Sequence, residues 1–222
     1  MGYQLDFGAL AGYFGLFLQG MGVTLGLTAI AASLGLALSI GGAAAAGSAR
    51  RWARVAVLAY VEAIRNTPFI VQMYFIFFAL PELGLRLSAI QAAVLAMTIN
   101  LTAYSIEILR AGIEAVAPGQ REAGAALGIK PAEVFIFVVL PQALANVYPA
   151  LVSQIVMTML ESAVVSTIAV MDLTHVADLI QSRTYRAFET YFVVLVVYLV
   201  LSVALRRLFA LAGRRLFAGR VG

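Results

Sequence analysis

Long uncharged runs alternate with short charged ones along this chain, and their lengths predict the elements. No charged residue occurs from Phe7 to Ala49. A straight helix of that length measures about 65 Å, twice what a bilayer core requires. The run therefore reads as two pieces: a surface helix over 8–18, a break at Gly20-Met21-Gly22, and a span over 21–46. The small-residue pairs Gly8/Gly12 and Gly22/Gly26 permit close helix contact.

Arg50, Arg51 and Arg54 surround Trp52, so residues 52–65 read as an interfacial helix with a basic edge. A second span follows over 66–81, with Pro68 in its first turn, where no helical N–H is needed. Pro81-Glu82-Leu83-Gly84 is a turn, and a third span covers 87–109. A polar stretch occupies 110–133. The uncharged run 134–160 contains Pro141 and Pro149, each of which removes a backbone bond. It reads as an approach segment leading into a fourth span over 145–171. A second polar stretch, 172–189, precedes a fifth span over 190–209.

Composition sharpens the class. Apolar and aromatic residues make up 63% of the chain, charged residues only 12%, and mean hydropathy is +0.96. A soluble domain carries roughly 25% charged residues, so the solvent here is lipid and the fold is an all-α polytopic membrane protein. The excess of Arg then belongs to topology rather than to nucleic-acid binding. With no Cys and one His, thiolate and multi-His metal sites are excluded, and no metal site is expected. Asp6 is the only charge before Arg50, which does not fit the basic start of a cleavable signal.

Five spans put the termini on opposite sides. With the N-terminus periplasmic, twelve of the fifteen basic residues fall on inner segments: Arg50, Arg51, Arg54, Arg65, Arg110, Arg121, Lys130, Arg206, Arg207, Arg214, Arg215 and Arg220. Only Arg86, Arg183 and Arg186 fall outside. The positive-inside rule selects this orientation, with a cytoplasmic C-terminus. No internal repeat or linker divides residues 1–222, which read as one membrane domain.

The inner loop, about 113–134, has the sharpest pattern. Pro118 suits the first position of a helix, and Gly128 suits a left-handed position just past its end. Roughly ten residues, mostly Ala and Gly with one charged edge at Arg121-Glu122, lie between them. Pro131 starts another helix, with Glu133 favourable to its dipole. A small-residue helix in the cytosol buries little by itself and suits a knob entering a partner's groove.

These residues resemble the bacterial ABC-importer permeases, whose cytoplasmic pattern is E-A-A, three residues, G, nine residues, I-x-L-P. Here Glu122-Ala123-Gly124 is followed by Gly128 and then by Val138-Val139-Leu140-Pro141. Gly replaces the third Ala and Val replaces Ile. The segment from Glu62 through Arg65-Asn66-Thr67-Pro68 to Gln72 resembles the polar amino-acid branch (His, Gln, Glu, Arg, opines). So do Ala103-Tyr104 to Glu107, Arg110 and Gly112, and Glu161-Ser162 with Ser166. Ala117 replaces a usual acidic helix cap, and Leu160 a common Lys.

The resemblance implies a coupling helix, with Arg121, Glu122, Ala123, Gly124, Leu127 and Gly128 docking on a cytoplasmic ABC ATPase dimer. That partner would hydrolyse ATP with Mg. This chain has no Gly-Lys-Ser/Thr phosphate loop and is expected to bind no cofactor and to be no enzyme. Alternating access would move a polar amino acid or related compound across the inner membrane. The chain would pair with a second permease copy or a paralogue and receive substrate from a periplasmic binding protein. Five spans are too few to enclose a path alone.

Ionisable and amide groups inside spans are rare and face a pathway or a partner. Glu161, among Met157, Leu160 and Val164, suits the α-ammonium or cationic side chain of an amino acid. Its alternative is a structural bond to Arg or backbone. Asn100 lies roughly 20 Å into the third span, with Tyr104 one turn on and on the same face. Gln72, one turn inside Pro68, is a further candidate substrate contact, with helix–helix hydrogen bonding as its alternative. Glu107, Arg110 and Glu114 form a ladder of possible ion pairs; Glu62 and Arg65 form another. Each is a structural pair or a gate.

Asp172, His175, Asp178, Arg183, Arg186 and Glu189 read as a solvated outer face and a docking surface for the binding protein. The tail from Arg206 to Arg220 anchors in anionic membrane lipid. Two other readings stand beside the amino-acid importer: a permease for another small solute, and a membrane scaffold subunit.

Overall fold

The computed structural model describes residues 3–48 and 50–217; Arg220, counted above among the inner charges, lies outside them. All regular elements among these residues are helical. Helix α1 is Phe14–Ala46, entered through a 3-10 stretch Gly8–Tyr13. Then come α2 (Arg51–Arg65), α3 (Phe69–Glu82), α4 (Ala89–Glu114) and α5 (Pro118–Ala126). The chain continues through α6 (Pro131–Ile168), α7 (Leu173–Thr184) and α8 (Ala187–Leu216).

Four helical stretches are long and apolar enough to cross a membrane: Gly8–Ala46, α4, α6 and α8. A fifth crossing counts α2 and α3 together, which meet at 108°. The short α3 begins at Phe69; Pro68 is its N-cap, in extended backbone, rather than part of its first turn.

The predicted break at Gly20-Met21-Gly22 is absent: the helix runs through it. Gly20 serves contact instead. A Cβ there would stand 2.9 Å from Leu173 Cα and 3.0 Å from the Asp172 carbonyl, so α7 crosses α1 backbone to backbone. Nor do Pro141 and Pro149 divide the fourth span from an approach segment. Helix α6 passes both, widening into a π-helical stretch, Phe135–Val139, just before Pro141. In α3 the same device, Phe75–Ala79, precedes Pro81. The wider turn accommodates the proline ring and its missing N–H without ending the helix.

Helix α4 is the central post. A capping box at Ser88 and Gln91 opens it, and Ala92, Ala93, Ala96, Met97, Leu101 and Ala103 are wholly or almost wholly buried along it. Leu27 and Ala31 of α1, Met73 and Ile76 of α3, and Val165 and Ile168 of α6 join its N-terminal half in one core. Helix α8 stays peripheral, with Leu195, Leu199, Val200 and Val203 exposed, as an uncovered membrane span requires.

The stretch 172–189 is not a solvated face throughout. Most of it is α7, whose Leu173, Val176, Ala177 and Ile180 pack with Leu10, Phe17 and Val194. Asp172 is fully buried as the N-cap of α7; its Oδ1 accepts the His175 N–H at 2.9 Å. Burial pushes its carboxyl above the usual carboxylate range, against hydrogen bonds that act the other way. Glu189 is also buried. It accepts from the Tyr3 hydroxyl, from the Asp6 N–H at 2.9 Å and from Arg186 at 3.4 Å. Arg186 in turn donates to the Gln4 carbonyl at 2.8 Å. Residues 3–6 thereby strap the start of α8. Asp178 does turn outward, where it accepts from Tyr191 at 2.6 Å. Among the described residues no three His, Asp or Glu side chains converge on a metal position.

Candidate functional site

The loop between α4 and α6 folds as its prolines and glycines dictate. Pro118 occupies the first turn of α5. At the other end Gly128 has φ +71°, the left-handed position. There the Ile129 N–H donates to the Gly124 carbonyl at 3.0 Å and the Gly128 N–H to the Ala125 carbonyl at 3.0 Å. This paired closure satisfies carbonyls that the helix leaves open. The outcome is a nine-residue helix.

Every residue of α5 is exposed except Gly124, which faces Val134 at the start of α6. A Cβ at 124 would collide with the Val134 side chain. Gly in place of the pattern's third Ala is therefore matched to a larger neighbour across the loop. Arg121, Glu122 and Ala123 are exposed, and Leu127 is 76% exposed. Only a long bond, Arg121 Nη2 to the Ile113 carbonyl at 3.4 Å, ties the charged edge back to α4. The helix is a small, open knob on a rigid two-ended mount.

Beside it a cleft of about 690 Å³ opens between the last turn of α1, the end of α4 and the start of α6. Ala43, Gly47, Arg110, Arg121 and Val134 line it. None of Gln72, Asn100, Tyr104 and Glu161 does.

The structure brings Gln72 and Asn100 together. Asn100, 3% exposed, donates from Nδ2 to Gln72 Oε1 at 3.0 Å. Its own Oδ1 is buried without a partner among the described residues. Gln72 Nε2 faces the Ile64 carbonyl at 2.8 Å and the Thr67 carbonyl and hydroxyl at 3.0 and 2.9 Å. Tyr104, one turn further along α4, lies under the Arg65 guanidinium at 5.5 Å from the ring centre. Glu161 ends the α-helical part of α6, half-buried, and its carboxylate has no hydrogen bond or ion pair among the described residues. From there the chain tightens into a 3-10 stretch, Ser162–Ile168, ending at Ala169 with φ +61°.

Of the two predicted ladders, one forms. Arg110 bridges Glu107 and Glu114 on consecutive turns of α4. Glu62 and Arg65 do not pair: Glu62 accepts from Asn66 Nδ2 at 2.9 Å, and Arg65 turns to Tyr104. Capping of the helix end takes the carboxylate, and the aromatic face takes the cation. The strap by Tyr3, Arg186 and Glu189 was invisible to sequence reasoning because it joins residues more than 180 positions apart.

Comparison with known proteins adds an independent finding. The family model described as "Binding-protein-dependent transport system inner membrane component" matches residues 37–218. The glutamine transport system permease protein GlnP of Escherichia coli is 35% identical over 215 residues, covering 92% of this chain and 96% of GlnP. The arginine transport system permease protein ArtQ of Bacillus subtilis is 34% identical over 203 residues, covering 91% of this chain and 93% of its own. A crystal structure of an amino acid ABC transporter with histidines superposes with a TM-score of 0.90 at 39% identity, covering 96% of this chain and 100% of that one.

Proposed function

We propose a transport mechanism from one premise: the chain belongs to the family of binding-protein-dependent transport system inner membrane components. It is a multi-pass permease subunit of an amino-acid ABC transporter in the bacterial inner membrane. Its family works with an ATPase and a substrate-binding protein.

The finer reading begins with orientation. The Arg/Lys asymmetry favours a periplasmic N-terminus, which puts α5 in the cytosol beside the ATPase. The ATPase dimer binds and hydrolyses Mg-ATP, and its closure carries α5 with it. Since α5 is mounted on α4 and α6, its displacement tilts both spans and alternates access between the two sides. A second permease copy or a paralogue supplies the other wall of the path. The uncovered face of α8 and the absence of Gln72, Asn100, Tyr104 and Glu161 from the cleft beside α5 support that reading.

A polar amino acid is the proposed cargo, because the relatives carry glutamine and arginine by name. Glu161 supplies a carboxylate for its ammonium or cationic side chain, and Asn100 Oδ1 a free acceptor. Tyr104 is a third contact, with its ring already engaged by Arg65. Gln72 stands behind Asn100 as its hydrogen-bond partner and is not itself placed against the cargo. The outer end, around α7, receives the binding protein.

The observation that carries the mechanism is α5 itself: a helix exposed on all positions but one, fixed by a left-handed Gly128. Gly128→Val strains that position by about 1–2 kcal/mol and misplaces the helix. The expected result is normal membrane insertion with loss of ATPase binding or of stimulated ATP hydrolysis. Normal transport by a well-expressed Gly128→Val protein contradicts the role. A panel of amino acids and unrelated small solutes, tested for stimulation of ATP hydrolysis, separates the amino-acid reading from another cargo.

A further inference from the structure

We propose that Gln72 is a positioning residue of the transport cycle: it locks the α2–α3 elbow to α4, so that the elbow travels with the helix leading to the coupling loop. A 108° bend across Asn66-Thr67-Pro68 leaves the end of α2 short of helical donors: the Asn66 N–H still reaches the Glu62 carbonyl at 3.2 Å and the Thr67 N–H the Ile64 carbonyl at 3.4 Å, but Pro68 has no N–H to offer. Side chains close it. Asn66 Nδ2 donates to the Glu62 carbonyl at 2.8 Å, and Thr67 Oγ1 to the Ala63 carbonyl at 2.9 Å. The next carbonyl, of Ile64, and that of Thr67 fall to the Gln72 amide nitrogen.

The other end of the same side chain faces α4. Gln72 Oε1 accepts from Asn100 Nδ2 at 3.0 Å. The amide cannot be turned over, because its oxygen would then face the Ile64 and Thr67 carbonyls, and its nitrogen the Asn100 donor. Both hydrogens are committed to the elbow and one lone pair of the oxygen to α4, so only the second lone pair of Oε1 stays open to a substrate in this conformation. Two further ties reach the same stretch of α4: the Tyr60 hydroxyl donates to the Ile99 carbonyl at 2.6 Å, and Arg65 lies over Tyr104. Helix α4 then runs unbroken to Glu114, and α5 begins at Pro118. A push on α5 therefore reaches the elbow through one continuous helix, and Gln72 is the only side chain that bonds both arms of the bend and α4 among the described residues.

The inference rests on the transport reading for its activity readout but not for its structural one. The chain has no Cys, so two labels can be placed cleanly. Spin labels at exposed Val55 on α2 and exposed Ala111 on α4 are measured in the assembled permease–ATPase complex, with and without a non-hydrolysable ATP analogue. The wild-type distance stays constant between the two states; in Gln72→Ala it broadens and shifts with nucleotide. An equal shift in the wild type, or no change in Gln72→Ala, overturns the lock whether or not amino acids are the cargo.

Activity gives the second arm. In proteoliposomes, Gln72→Ala and Asn100→Ala each lower the amino acid moved per ATP at least fivefold. The double variant is no worse than the weaker single. Binding of L-glutamine, L-arginine or L-histidine to the purified Gln72→Ala complex stays within twofold of wild type. A tenfold loss of that binding with normal transport per ATP at saturation makes Gln72 a substrate ligand and overturns the proposal. Low yield with a normal transport-to-ATP ratio in the surviving protein makes it packing alone, and overturns it equally.

Discussion

At position 124 one methyl group separates this chain from its family's usual pattern. Val134 occupies the space that an alanine would need. Gly124→Ala should therefore weaken coupling of ATP hydrolysis to uptake, and adding Val134→Ala should restore it. An unchanged coupling ratio in the single variant contradicts the packing argument. Glu161 is the complementary case, a carboxylate without a partner among the described residues. Glu161→Gln keeps its size and removes its charge. If the ligand's cation is the partner, binding of amino acid to the purified complex weakens roughly tenfold or more, at 1.4 kcal/mol per decade. Yield and basal ATP hydrolysis stay near normal. A structural Glu instead gives low yield with unchanged binding.

Among the elements, those marked by caps were legible and those shaped by remote contact were not. Pro118, Gly128 and Pro131 announce a short helix because their backbone restrictions act locally, and the structure has α5 between them. Gly20-Met21-Gly22 misleads because small residues signal either a break or a contact, and only the position of α7 decides. Proline misleads likewise in α6, where a π turn absorbs Pro141. Arg186 and Glu189 read as wet because their partners lie on residues 3–6. Gln72 and Asn100 were each legible as polar residues in spans, but their bond was not, since nothing local joins positions 28 apart. Two glycines of α1, Gly20 and Gly22, give a sharp test. Gly20→Val must push α7 backbone and should cost about 1–3 kcal/mol of stability. Gly22→Val meets nothing within 4 Å and should leave the unfolding temperature unchanged. Equal effects of the two substitutions contradict the α1–α7 crossing.

For the whole molecule, the account joins orientation, coupling and cargo. Orientation is open to direct labelling, because the chain lacks Cys. A membrane-impermeant thiol reagent should label Ser182→Cys in cells stripped of their outer membrane and should not label Gln120→Cys; the reverse pattern would invert the coupling assignment. The central claim is that this chain turns a partner's ATP hydrolysis into amino-acid uptake. It is tested most directly by accumulation of a radiolabelled polar amino acid in proteoliposomes containing the permease, its ATPase and the loaded binding protein. The account predicts uptake against a gradient that needs ATP and collapses in Gly128→Val while the complex remains in the membrane. Uptake that is indifferent to ATP, or a wild-type complex that accumulates none of the amino-acid panel while hydrolysing ATP at an unstimulated rate, would contradict it.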